Sequence, residues 1–243
     1  MHPIVTGPIT VGRSWPRRRL GRLLCLMAMA ELLASTTGIG VRAQSGDFAP
    51  LREGLEWVYD FQSDSTMSVP DRPPISQSQR GRMIVRVDGR EATGGRQYWR
   101  LAGRYEGIPD LEALGTFTWY ERSAADGLYH AGQKLGPGLK ENLLLAVPSD
   151  VGRTWPYDDG TGRPARMRIA SRVAVETPAR RFDTCLQVVQ EFLEPQHRAE
   201  CVDETYYCDG VGKVKTVQKH IKQDPSRIVE TTRVLISARS AKD

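Results

Sequence analysis

From Gln44 onward, apolar and polar residues alternate in short runs, and turn-forming residues cut the runs apart. Alternation with period 2 marks a strand with one buried and one solvated face. Met83/Val85/Val87, Met167/Ile169, Val173/Val175 and Leu186/Val188 carry it most clearly. Asp88-Gly89, Gly94-Gly95, Asp126-Gly127 and Asp224-Pro225 divide the runs. No window sustains a 3.6-residue period. The pattern predicts strands over 55–62, 82–88, 96–104, 116–122, 127–131, 165–176, 182–193, 199–208, 213–220 and 227–238. The strongest helical candidate is 139–147, where Leu143-Leu144-Leu145 fits a buried loop equally well. Residues 69–79, with Pro70, Pro73 and Pro74, read as a long exposed loop. About ten antiparallel strands with short connections predict an all-β fold: a curved sheet, a sandwich or an open barrel. A flat sheet of that size would curl under its own twist.

A weak internal repeat runs through the pattern. Gly54-x-x-Trp57-x-Tyr59 recurs as Gly152-x-x-Trp155-x-Tyr157, and Trp119-Tyr120 before Asp126-Gly127 is echoed by Tyr206-Tyr207 before Asp209-Gly210. No linker divides the halves. The expectation is two similar meanders sharing one core, within a single β-rich domain over 44–243.

The net charge of +5 points to nucleic acid or an acidic surface until its position is examined. Six of the 34 basic side chains and one of the 29 acidic ones fall within residues 1–43, leaving 28 of each in the remainder. That first segment has the order of a signal peptide: an Arg-rich stretch at 17–22, an apolar run over 23–34, and Val41-Arg42-Ala43 before a cleavage point at Gln44. Glu31 interrupts the apolar run, and bulky Leu24 before Cys25 departs from a lipid-attachment motif. The expectation is export, to the periplasm or beyond the cell, with no transmembrane span after cleavage. The apolar run is shorter than the ~20 residues a bilayer requires. The neutral remainder gives no reason to expect a nucleic-acid partner, and Lys213-x-Lys215-x-x-x-Lys219 reads as a solvated strand face.

Three cysteines follow the cleavage point: Cys185, Cys201 and Cys208. Exported thiols tend to pair. If 182–193 and 199–208 form a hairpin turning at Pro195-Gln196-His197-Arg198, Cys185 faces Cys208 wherever Phe192 faces Cys201. Cys201 and Cys208 lie seven residues apart on one strand, about 23 Å at ~3.3 Å each, which no disulfide spans. The expected bond is Cys185–Cys208, with Cys201 free and buried.

His197-x3-Cys201-x6-Cys208, with Glu194 and Cys185 nearby, holds zinc-ligand types at a spacing that matches no compact knuckle. Asp158-Asp159-Gly160-Thr161-Gly162 is oxygen-rich but lacks the further ligands of a calcium loop. There is no nucleophile elbow and no phosphate loop. His130 and His220 read as surface or edge residues. No metal or cofactor is expected. If the chain were an enzyme, an exported hydrolase, its groups would be Asp158, Asp159, His197 and His220, assembled only by the fold.

The strand aromatics carry more information. Trp57, Tyr59, Trp99, Trp119 and Trp155 pack a core in the plain reading; in the sharper one they line a concave apolar pocket.

Four short motifs carry a resemblance. Leu51-Arg-Glu-Gly54-x-x-Trp57-x-Tyr59, Val151-Gly152-x-x-Trp155, Thr177-Pro178-Ala179-x-x-Phe182-x-Thr184-Cys185-Leu186-x-Val188 and Tyr206-Tyr207-Cys208-Asp209-Gly210-Val211-Gly212-Lys213-Val214-Lys215 keep their order along nearly the whole chain after Gln44. Together they resemble a group of uncharacterised exported bacterial β-sheet proteins. Arg180-Arg181 stands where the group has small turn residues. The resemblance implies a secreted or envelope-associated antiparallel β-domain and carries over no catalytic residue. The leading expectation is therefore a non-enzymatic envelope domain that binds an apolar ligand or a protein partner. An exported enzyme and a structural subunit of a surface assembly are the other two classes.

Overall fold

In a computed structural model, residues 47–68, 71–158, 164–193, 201–221 and 227–240 are described. They belong to one unit, Arg42–Asp243. Twelve strands and one short helix follow in order: β1 (Leu55–Met67), β2 (Ile75–Thr93), β3 (Arg96–Glu106), α1 (Pro109–Glu112), β4 (Phe117–Ala124), β5 (Gly127–His130) and β6 (Asn142–Ala146). The second half runs β7 (Thr154–Tyr157), β8 (Ala165–Glu176), β9 (Arg181–Phe192), β10 (Cys201–Cys208), β11 (Gly212–Ile221) and β12 (Arg227–Ser240).

All twelve strands share one antiparallel sheet, ordered β6-β5-β4-β3-β2-β1-β12-β11-β10-β9-β8-β7. Consecutive strands pair throughout except β6 and β7, and β1 also pairs with β12 from Leu55↔Ser240 to Met67↔Arg227. The sheet curls into a nearly closed barrel. Closure leaves a single seam between β6 and β7, which are consecutive in the chain and lie at opposite ends of the sheet order. No ladder crosses it among the described residues. Instead Trp155 Nε1 donates to Leu143 O (2.7 Å), and Asn142 Nδ2 donates to Asp158 O (2.7 Å). The all-β antiparallel expectation holds, with the strands in one barrel-like sheet rather than a sandwich.

Two of the twelve strands run against the sequence reading. The helical candidate at 139–147 contains β6, pairing Leu145 with Leu128 and Leu143 with Tyr129. Three successive leucines have no periodicity to distinguish helix from strand, and the free edge of β5 decides. β7 was not anticipated, because Pro156 cannot donate to a ladder. As an edge strand, β7 tolerates it. The loop expected over 69–79 is also shorter, because β2 begins at Ile75 and residues 75–79 pair with 63–67 of β1.

The repeat maps onto the topology. Gly54 precedes β1 and Gly152 precedes β7, at φ of 79° and 89°. Gly54 N–H donates to Val87 O in β2, and Gly152 N–H to Ile169 O in β8. Each left-handed glycine thus turns the chain into the first strand of a six-strand run and ties it to the second. Trp119 and Tyr120 lie on the fourth strand of the first run, Tyr206 and Tyr207 on the fourth of the second.

Inward side chains form two buried clusters. One gathers Trp57, Phe61, Val85, Val87, Leu101 and Leu235; the other gathers Phe48, Leu145, Trp155, Ile169, Leu186 and Tyr207. Cys185 pairs with Cys208 across β9 and β10 in the expected register, and the two are disulfide-bonded. Cys201 begins β10 opposite His220; its side chain lies outside the described set.

Candidate functional site

The barrel interior holds a cavity of about 460 Å³, within the size range of small-ligand sites. Its apolar wall comes from the first meander: Trp57 on β1, Met83 and Val85 on β2, Leu101 on β3, and Phe117 and Trp119 on β4. These positions follow the period-2 alternation inward. Gly103 makes room for the wall, since a Cβ there would lie 2.6 Å from the Phe117 ring. An aromatic file runs Phe61, Tyr105, Phe117, Trp119, with centroids 5.2, 5.5 and 5.7 Å apart. The segment before β1 contributes Phe48 through Leu51, anchored where Gly210 N–H donates to Asp47 O (2.8 Å).

The polar tips of the aromatics are tied down, which holds their rings in one orientation. Trp57 Nε1 donates to Val211 O (2.8 Å), and Tyr59 OH donates to Lys213 O (2.9 Å). Burial raises the pKa of Tyr59 and of Tyr207, and Glu121 raises both further, so both phenols stay neutral.

Besides the tyrosines, four charged or titratable groups line the cavity: Glu121, His130, Lys213 and Arg233. Glu121 is 6% exposed, and its Oε1 accepts from Trp119 Nε1 (3.0 Å). Arg233 Nη2 donates to Gln218 Oε1 (3.1 Å), and Gln218 Nε2 donates in turn to Asp203 Oδ2 (2.9 Å). Lys213 reverses its sequence reading as a solvated residue. Tyr206 pairs with Lys215 but Tyr207 pairs with Lys213, so Val214 is the extra residue of a bulge. The bulge turns Lys213 toward the interior, where its Nζ lies 6.0 Å from the buried Tyr207 ring. Lys215 points to Tyr206 instead.

Of the aromatic candidates, Trp57, Tyr59 and Trp119 line the cavity. Trp99 and Trp155 do not. Trp99 is half-buried beneath the Arg90 guanidinium (3.9 Å), and Trp155 is spent on the seam while its neighbour Tyr157 reaches the cavity. Asp158 and His220 are not among the lining residues. Asp159 and His197 lie outside the described residues. No group of three or more metal-ligating side chains occurs among the described residues, and no helix there is long and apolar enough to cross a membrane.

No protein-family model and no curated protein matches the chain. Two crystal structures are similar to it. A Bacteroides fragilis protein described as exported and YmcC-like in fold is 14% identical, with a TM-score of 0.43, covering 79% of this chain and 98% of its own. A Parabacteroides distasonis protein described as a lipoprotein is 16% identical, with a TM-score of 0.41 and the same coverage. At that degree of likeness neither lends its description to this chain.

His130, a surface or edge residue by its sequence pattern, instead faces the cavity, across the ladder from Glu121. Burial lowers its pKa; Glu121 opposes the shift and Lys213 adds to it. The folded state therefore favours the neutral ring. The unfolded chain takes up a proton near pH 6.5, so it binds more protons than the native state just below that pH. Stability should then fall as the pH drops through 6.5, and level off below the folded pKa. Melting temperatures at pH 7.5 and 5.5 should differ in the wild type, and the difference should shrink in His130→Gln. An unchanged difference in the variant would mean that other groups carry the dependence.

Proposed function

We propose that this protein is an exported, non-enzymatic binding barrel that holds an apolar ligand in its interior, working in the periplasm or outside the cell. The cavity carries the reading. Trp57, Phe117 and Trp119 present apolar surface to a space inside a barrel rather than to one another alone. At ~30 Å³ per water-sized group, the cavity has room for about fifteen such groups, the bulk of one hydrocarbon chain. Export is supported by the order of charge and hydrophobicity in residues 1–43 and by the buried disulfide, which an oxidising compartment favours.

Native mass spectrometry of the protein purified from its exporting host tests this directly. The expected result is a reproducible extra mass lost on denaturation, on a chain that starts at Gln44 and lacks two hydrogens. A clean apo mass, with no uptake of a neutral apolar dye, would refute the binding reading. A denatured chain retaining residues 1–43 would refute the cleavage.

A further inference from the structure

The cavity wall is apolar, but its charged lining is unbalanced. Two cations, Lys213 and Arg233, face it together with one carboxylate, Glu121. The fourth group, His130, favours its neutral form. Neither cation forms an ion pair with Glu121, whose Oε1 is engaged by Trp119. The nearby carboxylate of Asp203 does not line the cavity and is met by Gln218.

Arg233 is the more informative of the two. Its Nη2 is used by Gln218, and among the described residues its Nε is buried with no hydrogen-bond partner. A buried guanidinium donor left open is costly and uncommon in native structures, and it leaves Arg233 short of partners in its own fold. A guanidinium presents its donors in a planar fork matched to carboxylate and phosphate oxygens. Among the described residues, the Lys213 ammonium meets the face of Tyr207, a contact that leaves its hydrogens available. Thr216, the register partner of Arg233, adds a hydroxyl to the same stretch of the lining.

We infer that the ligand is an amphiphile with a single anionic head group, seated against Arg233 with Lys213 contributing charge, and with its hydrocarbon chain along Trp57, Phe117 and Trp119. This rests on the binding reading above and specifies it. The wall supplies affinity for the chain without regard to its end. The Arg233 side supplies the discrimination, because an anionic head gains charge-assisted hydrogen bonds there, whereas a neutral hydroxyl accepts only an ordinary one.

The test compares ligands of one chain length on the protein lacking residues 1–43. Tetradecanoic acid, tetradecyl phosphate and tetradecanol compete with a neutral naphthylamine dye bound in the cavity. At least one of the two anions should displace the dye at about a tenfold lower concentration than the alcohol, as a charge-assisted hydrogen bond implies. Read against each variant's own dye affinity, Arg233→Met should lose most of that preference, and Lys213→Met should lose part of it. The better competitor distinguishes a carboxylate from a phosphate head. Equal displacement by all three, with the dye bound, would overturn the inference and leave the binding reading standing. Failure of the dye and of every chain to bind would overturn both. The wild-type comparison decides the matter even if Arg233→Met does not fold.

Discussion

Replacing both Cys185 and Cys208 with alanine lowers the melting temperature by about 7–14 °C. The bond joins residues 23 apart in sequence. Closing a loop of that length removes roughly 3.4 kcal/mol of chain entropy from the unfolded state. For a domain of this size each kcal/mol moves the midpoint by about 2–4 °C. Both half-cystines are almost fully buried, at 0% and 1% exposure, so the lost sulfur contacts act in the same direction. Alanine is the better replacement, since serine would add a hydroxyl to an apolar site. Thermal melts with and without reductant provide the check. A wild type whose midpoint does not move under full reduction would show that the bond adds nothing to stability.

Leu235→Ala should cost a comparable amount, about 3 kcal/mol within the 2–5 expected for a buried leucine. Leu235 is completely buried on β12, opposite Tyr59 on β1, within the first core cluster. The barrel beside it cannot collapse freely, because β1 is held on one side by an unbroken ladder to β2 and on the other by β12, with a single bulge next to Leu235. The space left by the truncation therefore persists, and the lost contacts are not recovered. Leu235→Met keeps the volume and should cost less than about 1.5 kcal/mol. Leu114→Ala, at a residue 66% exposed, should stay within about 0.5 kcal/mol. Urea midpoints of the three variants measure the order. A Leu235→Ala loss below about 1 kcal/mol would mean that the wall relaxes into the gap.

The sequence reading succeeded where local pattern and tertiary demand coincide. β8 occupies 165–176 as its alternation predicts, and the cysteine register follows from residue arithmetic on one hairpin. It failed where the sheet rather than the segment decides. β6 and β7 exist because the curl brings two edges together, and neither a leucine run nor a strand with Pro156 announces that. The site was half legible. Trp57, Tyr59 and Trp119 stand on inward positions with aromatic side chains, so they could be named in advance. Glu121 and Arg233 were missed, although each gave a signal: Phe117-x-Trp119-x-Glu121 and Arg233-x-Leu235 place a charge on the apolar parity of a strand. Lys213 gave none, because the Val214 bulge that turns it inward depends on the pairing with β10.

The pairing of β1 with β12 has a consequence in time. Every other ladder joins strands that are consecutive in the chain, so each can zip soon after its second strand appears. β1 ends at Met67, and its second neighbour begins at Arg227. That partner therefore emerges about 160 residues after β1 is complete, whether the chain threads out of the ribosome or of an export channel. Throughout that interval one side of β1 presents open hydrogen-bonding groups, the kind of edge that recruits strands from other chains. The ladder that binds the two ends of the chain together is therefore the last that can form, and the nascent protein is most exposed to its neighbours until it does.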